Sequence, residues 1–200
     1  MDRANFSFYR IVKTSCDYIF AAICLIVLSP LAIILCILVF TTGGGPVIYS
    51  QKRSGRNGKT FMLYKFRSLR HGANEDIDLI ADKNDLRITR IGKIMRRYKL
   101  DEIPNFLNVL RGEMSVVGPR PEQEYYIEKI IRRAPEYSDL LKLKPGVTSW
   151  GEVKYGYASN LDQMVERLEY DLYYLEHRSL MFDLKIIFET IGIVLRGRGI

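Results

Sequence analysis

YIFAAICLIVLSPLAIILCILVF, residues 18–40, carries no charged side chain. At about 1.5 Å rise per residue a helix of that length crosses the hydrocarbon core of a bilayer. The run is too long for a cleavable leader, and no small-residue cleavage site closes it. Ser29-Pro30 lies near its middle. Proline removes one backbone donor and crowds the carbonyl four residues earlier, at Ile26, so the sequence predicts a kink. A neighbouring serine hydroxyl can satisfy the freed carbonyl. Arg3, Arg10 and Lys13 precede the segment, and Lys52, Arg53, Arg56 and Lys59 follow it. Basic flanks stay on the cytoplasmic side, so both ends favour one face. A bent hairpin satisfies both flanks; a kinked single span places one of them outside. The residues alone leave the two open.

The rest of the 200-residue chain has room for one compact domain. Thirty Lys and Arg against 23 Asp and Glu leave a net charge of +7, which points to an anionic partner such as a nucleic acid, an acidic membrane face or a phosphorylated substrate. Cys16, Cys24 and Cys36 all fall in or beside the apolar segment, a distribution that suggests neither a disulfide framework nor a tetrahedral metal site. His71 and His177 belong to no ligand-spaced motif.

Past Gly43-Gly44-Gly45-Pro46, VIYSQ (47–51) and TFMLYKF (60–66) flank Asn57-Gly58 and predict a β-hairpin. Gly58-Lys59-Thr60 mimics the end of a phosphate-binding loop, but Arg53 stands where the first glycine is required and a strand follows. Residues 71–87 are polar and mixed in charge, and read as a solvated loop or short helix. Helices are predicted over 89–99, after Pro104 as far as Gly112, and over 122–133, 137–143, 160–177 and 180–195. Residues 116–121 are extended by their prolines, and 144–146 read as a turn. The last helix, apolar with basic ends, suits a membrane surface or a buried core equally.

Asp101-Glu102 stands just before a predicted helix. By itself such a pair favours the plainer reading, a cap on the positive helix end. Its surroundings favour chemistry. Arg90, Lys93, Arg96, Arg97 and Lys99 lead into it at spacings of three and four. A carboxylate can attack phosphorus if cations, arginine clusters or Mg²⁺, neutralise the phosphate. A helix N-terminus would keep Asp101 ionised for that role. Pro119-Arg120-Pro121 fixes the backbone around one guanidinium suited to phosphate or nucleobase contacts. The competing reading is a membrane-anchored binding module with no turnover. It is disfavoured because the basic residues are interleaved with acids, and nucleic acid is not expected as a partner.

KFRSLR (65–70), RIGKIMRRYKLDEIPNFLNVLRGEMSVVGPRPE (90–122), KPGVT (144–148) and EYDLYYLEHRSLMFDLKIIFETI (169–191) together resemble the bacterial sugar transferase family, the small monotopic phosphoglycosyl transferases. The resemblance covers residues 9–196 in order. It implies an α+β, mostly helical fold with a re-entrant helix-break-helix hairpin at Ser29-Pro30, a small β-hairpin and amphipathic membrane-surface helices. Residues 1–45 would form the membrane helix and 46–200 a catalytic domain on the cytoplasmic face of the bacterial inner membrane. By the same resemblance Asp101 attacks the β-phosphorus of a UDP-sugar and UMP leaves. Undecaprenyl phosphate then takes the phosphosugar, initiating a membrane glycoconjugate or exopolysaccharide. Glu102 assists as a base or in holding Mg²⁺, for which Asp101 is the expected ligand. Lys65, Arg96 and Arg120 meet phosphate groups, and Pro119 to Pro121 the nucleotide side. Membrane lipids are implied partners and a homo-oligomer stays open. One departure stands out: where the family reads Gln-Val and soon after Gly-Arg, this chain has Glu152-Val153, with Tyr157 or nothing at the arginine.

Overall fold

The computed structural model describes residues 3–43, 45–70, 72 and 86–199, those at 3–8 and 43 by their backbone. His71 and most of the predicted polar loop lie outside the described residues. The apolar segment forms helix α1, Arg3–Gly43, and Pro30 sits inside it. Helical hydrogen bonding is continuous across the position at which the sequence predicts a kink. Ser29 Oγ donates to the Ile26 carbonyl at 2.8 Å, occupying the acceptor that the proline leaves without an N–H.

Both ends of α1 are tied to the rest of the molecule. Near its start Lys13 Nζ meets Asp183 at 2.8 Å. The Asp17 carboxylate accepts from Ser115 Oγ at 2.7 Å and the Val116 N–H at 3.1 Å. Ala21 is buried with Leu63, Val109, Trp150, Tyr174 and Ile186 in the largest core. Near its end Leu35 and Val39 are buried against Phe66, Met95 and Ile103. Ile23, Ile26, Val27, Ile33, Ile37 and Phe40 remain exposed along the other side.

The predicted hairpin is present. Strands β1 (Ile48–Ser54) and β2 (Thr60–Phe66) pair antiparallel from Ile48 opposite Phe66 to Ser54 opposite Thr60. A tight turn at Arg56–Gly58 joins them, with Asn57 and Gly58 both at positive φ. Helix α2, Arg90–Arg97, is capped by the Thr89 side chain, which accepts from the Gly92 N–H at 2.8 Å. A single 3₁₀ turn, Leu100–Glu102, leads to α3, Asn105–Leu110. Next come β3 (Ser115–Val117), α4 (Glu124–Arg133) and α5 (Tyr137–Leu140). Strand β4, Gly146–Thr148, pairs parallel with β3. Gly146 thus begins a strand where a turn was predicted. Helix α6, Trp150–Lys154, is short. The chain closes with α7 (Leu161–His177) and α8 (Leu180–Leu195), both at the predicted limits within a residue.

Helix α8, whose sequence suits a core or a membrane surface equally, is buried on one side and exposed on the other. Asp183 and Ile186 are buried, while Met181, Phe188 and Leu195 are 76%, 70% and 77% exposed. One stripe joins the core and the other faces outward as an apolar surface.

Candidate active site

Lys99 adopts left-handed backbone geometry, φ 51, and turns the chain from α2 into the 3₁₀ turn that carries Asp101 and Glu102. Three elements converge on this turn. Strand β2 delivers Lys65, whose Nζ donates to Glu102 Oε1 at 2.6 Å. The register of β2 is pinned to α3 by Asn108, fully buried, which accepts from the Tyr64 N–H and donates to the Met62 carbonyl. Helix α2 delivers Arg96, whose Nε donates to Ser68 Oγ at 2.9 Å. It approaches closely: a Cβ at Gly92 would stand 2.1 Å from the Ser68 carbonyl oxygen.

The third contribution is Arg120. Its guanidinium is bonded to Glu152 and lies 3.9 Å from both Glu102 and Glu122. Burial opposes its charge, but Glu152, Glu102 and Glu122 together raise its pKa. Tyr157 faces it at 6.0 Å from ring centroid to guanidinium carbon. Pro119 and Pro121 act through their carbonyls, which accept from the Gly146 N–H at 2.9 Å and from Arg53 Nη1 at 3.2 Å. The prolines thereby fix the arginine between two elements and line neither of the cavities described below.

The two carboxyls of the dyad are driven apart. Asp101 is 7% exposed. Burial and the adjacent Glu102 push its carboxyl up, against the pull of Lys65 and Arg96. Burial thus works against the charge that a helix N-terminus was expected to favour. Asp101 sits inside the 3₁₀ turn, well before the six-residue α3, and desolvation dominates. Glu102 is also desolvated, yet Lys65, Lys99 and Arg120 lower it to about 2. A carboxylate so held is a poor proton acceptor.

Two cavities meet at Asp101. The larger set of cations surrounds the first, of about 170 Å³, with Arg53, Lys65, Arg96 and Arg120 beside Tyr126 and Tyr157. Its floor is a buried ion-pair layer in which Arg167 Nη2 meets Glu122 Oε1 at 2.7 Å, with Arg53 3.5 Å from the same carboxylate. Arg53 Nε is buried with no hydrogen-bond partner among the described residues. The second cavity, of about 230 Å³, opens from Asp101 toward α6 and α8 and holds Lys99, Glu152, Tyr155 and Thr190. Asp101, Arg96, Arg120 and Tyr157 border both.

The structure thus brings together Asp101, Glu102, Lys65, Arg96 and Arg120, which are scattered over residues 65–120. Arg53, Glu122, Arg167 and Glu152 are site residues that the sequence reading did not select as such. The signal was available only for Glu152, as a departure from the family pattern. No group of three His, Cys, Asp or Glu suited to a metal occurs among the described residues. Mg²⁺ commonly needs only one or two carboxylates when substrate phosphates complete its shell, and the dyad can supply those.

The profile described as "Bacterial sugar transferase" matches residues 8–197. The chain is similar to a UDP-N-acetylgalactosamine-undecaprenyl-phosphate N-acetylgalactosaminephosphotransferase of Aeromonas hydrophila, 37% identical over 96% of this chain and 45% of that protein. It is similar to a UDP-glucose:undecaprenyl-phosphate glucose-1-phosphate transferase of Klebsiella pneumoniae, 42% identical over 88% of this chain and 38% of that protein. It also resembles the exopolysaccharide production protein ExoY of Sinorhizobium fredii, 34% identical over 94% of this chain and 88% of that protein. The chain therefore spans less than half the length of the first two relatives.

Proposed function

The chain belongs to the bacterial sugar transferase family, and from that premise we propose that it transfers a sugar 1-phosphate from a UDP-sugar to undecaprenyl phosphate. The observation that carries the reading is the buried Asp101 lining a cleft that Lys65, Arg96 and Arg120 also line.

In the proposed reaction an Asp101 carboxylate oxygen attacks the β-phosphorus of the donor. The bond from that phosphorus to the bridging oxygen breaks, and UMP leaves with the electron pair. A phosphosugar remains on Asp101 as an acyl phosphate. An oxygen of undecaprenyl phosphate then attacks the same phosphorus, giving the polyprenol diphosphate sugar and returning Asp101 as carboxylate. Lys65, Arg96 and Arg120 balance the diphosphate charge as it passes between leaving group and acceptor. Mg²⁺, held by Asp101 with help from Glu102, would supply further positive charge beside the diphosphate. Glu102, kept ionised by Lys65, serves as an electrostatic anchor more readily than as a base.

Membrane attachment is part of the proposal. The relatives' acceptor is a lipid by name, and α1 exposes a long apolar face. We place α1 as a re-entrant helix, entering and leaving by the cytoplasmic face of the inner membrane, with initiation of exopolysaccharide or another membrane glycoconjugate as its role. The reaction is tested with purified protein, Mg²⁺, a panel of UDP-sugars and polyprenol phosphate. UMP and a sugar-bearing lipid are expected from at least one donor. Donor alone should add one phosphosugar mass to the peptide containing Asp101, and Asp101→Asn should abolish both. Full activity in Asp101→Asn would sink the mechanism.

A further inference from the structure

The second cavity at the dyad has a lining unlike the first. The first is dominated by guanidinium groups and aromatic rings, as a nucleoside diphosphate requires. The second shares Arg96 and Arg120 with it and adds Lys99, Arg198, the Glu152 carboxylate, and Thr190, whose hydroxyl is bonded to that of Thr148. Mixed donors and acceptors of this kind suit a polyhydroxylated ligand.

Glu152 decides the matter. Its side chain is 9% exposed, and Ser149, the cap of α6, accepts from its backbone N–H at 2.9 Å. Glu152 Oε1 meets Arg120 and, at 3.3 Å, Lys99. Among the described residues the hydrogen bond to the carboxylate goes to Oε1 and none goes to Oε2, and the side chain borders the cavity. A carboxylate oxygen is the wrong group to offer a phosphate, which it repels, and the right one to offer a sugar hydroxyl. Glu152 and Tyr157 both border this space, Tyr157 bordering the first cavity as well.

We propose that the cavity bounded by Glu152, Tyr157, Lys99 and Thr190 receives the hexose ring of the donor, with Glu152 Oε2 accepting from a ring hydroxyl and so setting which sugar is carried. The assignment rests on the transferase reading above. With the β-phosphorus at Asp101 and the nucleotide in the first cavity, the sugar leaves the phosphorus toward α6 and α8. Through Oε1 Glu152 also positions Arg120, a role common to every donor. Through Oε2 it reads the sugar, a role that differs between donors.

The test separates these roles. Rates of UMP release are measured for wild type and Glu152→Gln with a panel of UDP-hexoses and monodeoxy analogues of the best donor. One deoxy position should cost the wild type ten-fold or more in kcat/KM, since a hydrogen bond to a charged group is lost. Glu152→Gln should be nearly indifferent to that same deletion and should alter the ranking of donors by a similar factor. If Glu152→Gln instead lowers every donor by one common factor, Glu152 only holds Arg120 and the sugar assignment is wrong. If the variant is inactive, binding decides: the gain in affinity of the UDP-sugar over UDP should disappear in it, and a gain equal to wild type overturns the proposal. Absence of UMP release from every donor in the wild type would instead remove the transferase reading, and this inference with it.

Discussion

At the scale of single residues, the site depends on close approaches that tolerate no added atom. Gly92 is the clearest case, because a Cβ there would meet the Ser68 carbonyl oxygen at 2.1 Å. Backbone cannot rotate away as a flexible side chain would, so Gly92→Ala must lift α2 from the strand β2 exit. Arg96 moves with it and loses Ser68 Oγ. We expect Gly92→Ala to cost about 2 kcal/mol, within the range of overpacking substitutions, and to lower turnover at least ten-fold. Thermal unfolding in detergent and UMP release would check the two effects. Turnover at wild-type level would show that the close approach does not position Arg96. The dyad itself was legible in the sequence, because adjacent acids preceded by a basic helix form a local pattern. Glu122 and Arg167 were not, since their 2.7 Å ion pair joins residues 45 apart. No spacing rule reaches across a fold.

Among elements, legibility followed length. Helices α7 and α8 are long and end in identifiable caps: Asn160 accepts from the Gln163 N–H, and Ser179 from the Phe182 N–H. Strands β3 and β4 span three residues each, too few to show a period, and their parallel pairing is set by tertiary contacts. Gly118 makes that pairing possible, since a Cβ on it would lie 2.4 Å from the Lys144 carbonyl oxygen. The joint between α7 and the Pro-Arg-Pro segment is electrostatic. Arg167 Nη2 binds Glu122, Arg167 Nε lies 3.9 Å from Asp171, and the Asp171 carboxylate accepts from the Gly151 N–H at 2.9 Å. Removing one member of a buried pair strands the other, at about 3 to 5 kcal/mol. Arg53 and Arg120 would still stand near Glu122, so Arg167→Met should fall at the low end, about 3 kcal/mol. That corresponds to a Tm lower by roughly 6 to 12 °C for a chain this size. A fall below about 2 °C would mean that the remaining arginines neutralise Glu122 unaided.

For the molecule as a whole, the arrangement of α1 bears on which side of the membrane each end occupies. From Lys13 to Val39 the helix rises about 39 Å at 1.5 Å per residue, more than the ~30 Å hydrocarbon core. Yet Lys13 and Asp17 bind Asp183 and Ser115, while Leu35 and Val39 pack on Phe66, Met95 and Ile103. All of these partners belong to one body that also carries Lys65, Arg96 and the dyad. A perpendicular span would draw that charged body through the bilayer, at a desolvation cost no apolar contact could balance. A one-sided course keeps both sets of contacts, and it agrees with basic residues on both flanks. Ser29 Oγ, bound to the Ile26 carbonyl, then lets Pro30 sit at depth without an unmet acceptor. Single cysteines at exposed positions Arg10 and Lys52, in a background without Cys16, Cys24 and Cys36, would test the arrangement. A membrane-impermeant maleimide should label both positions in inverted vesicles and neither in intact spheroplasts. Labelling of position 10 alone from the outside would make α1 a true span and require Lys13 and Asp17 to part from their partners.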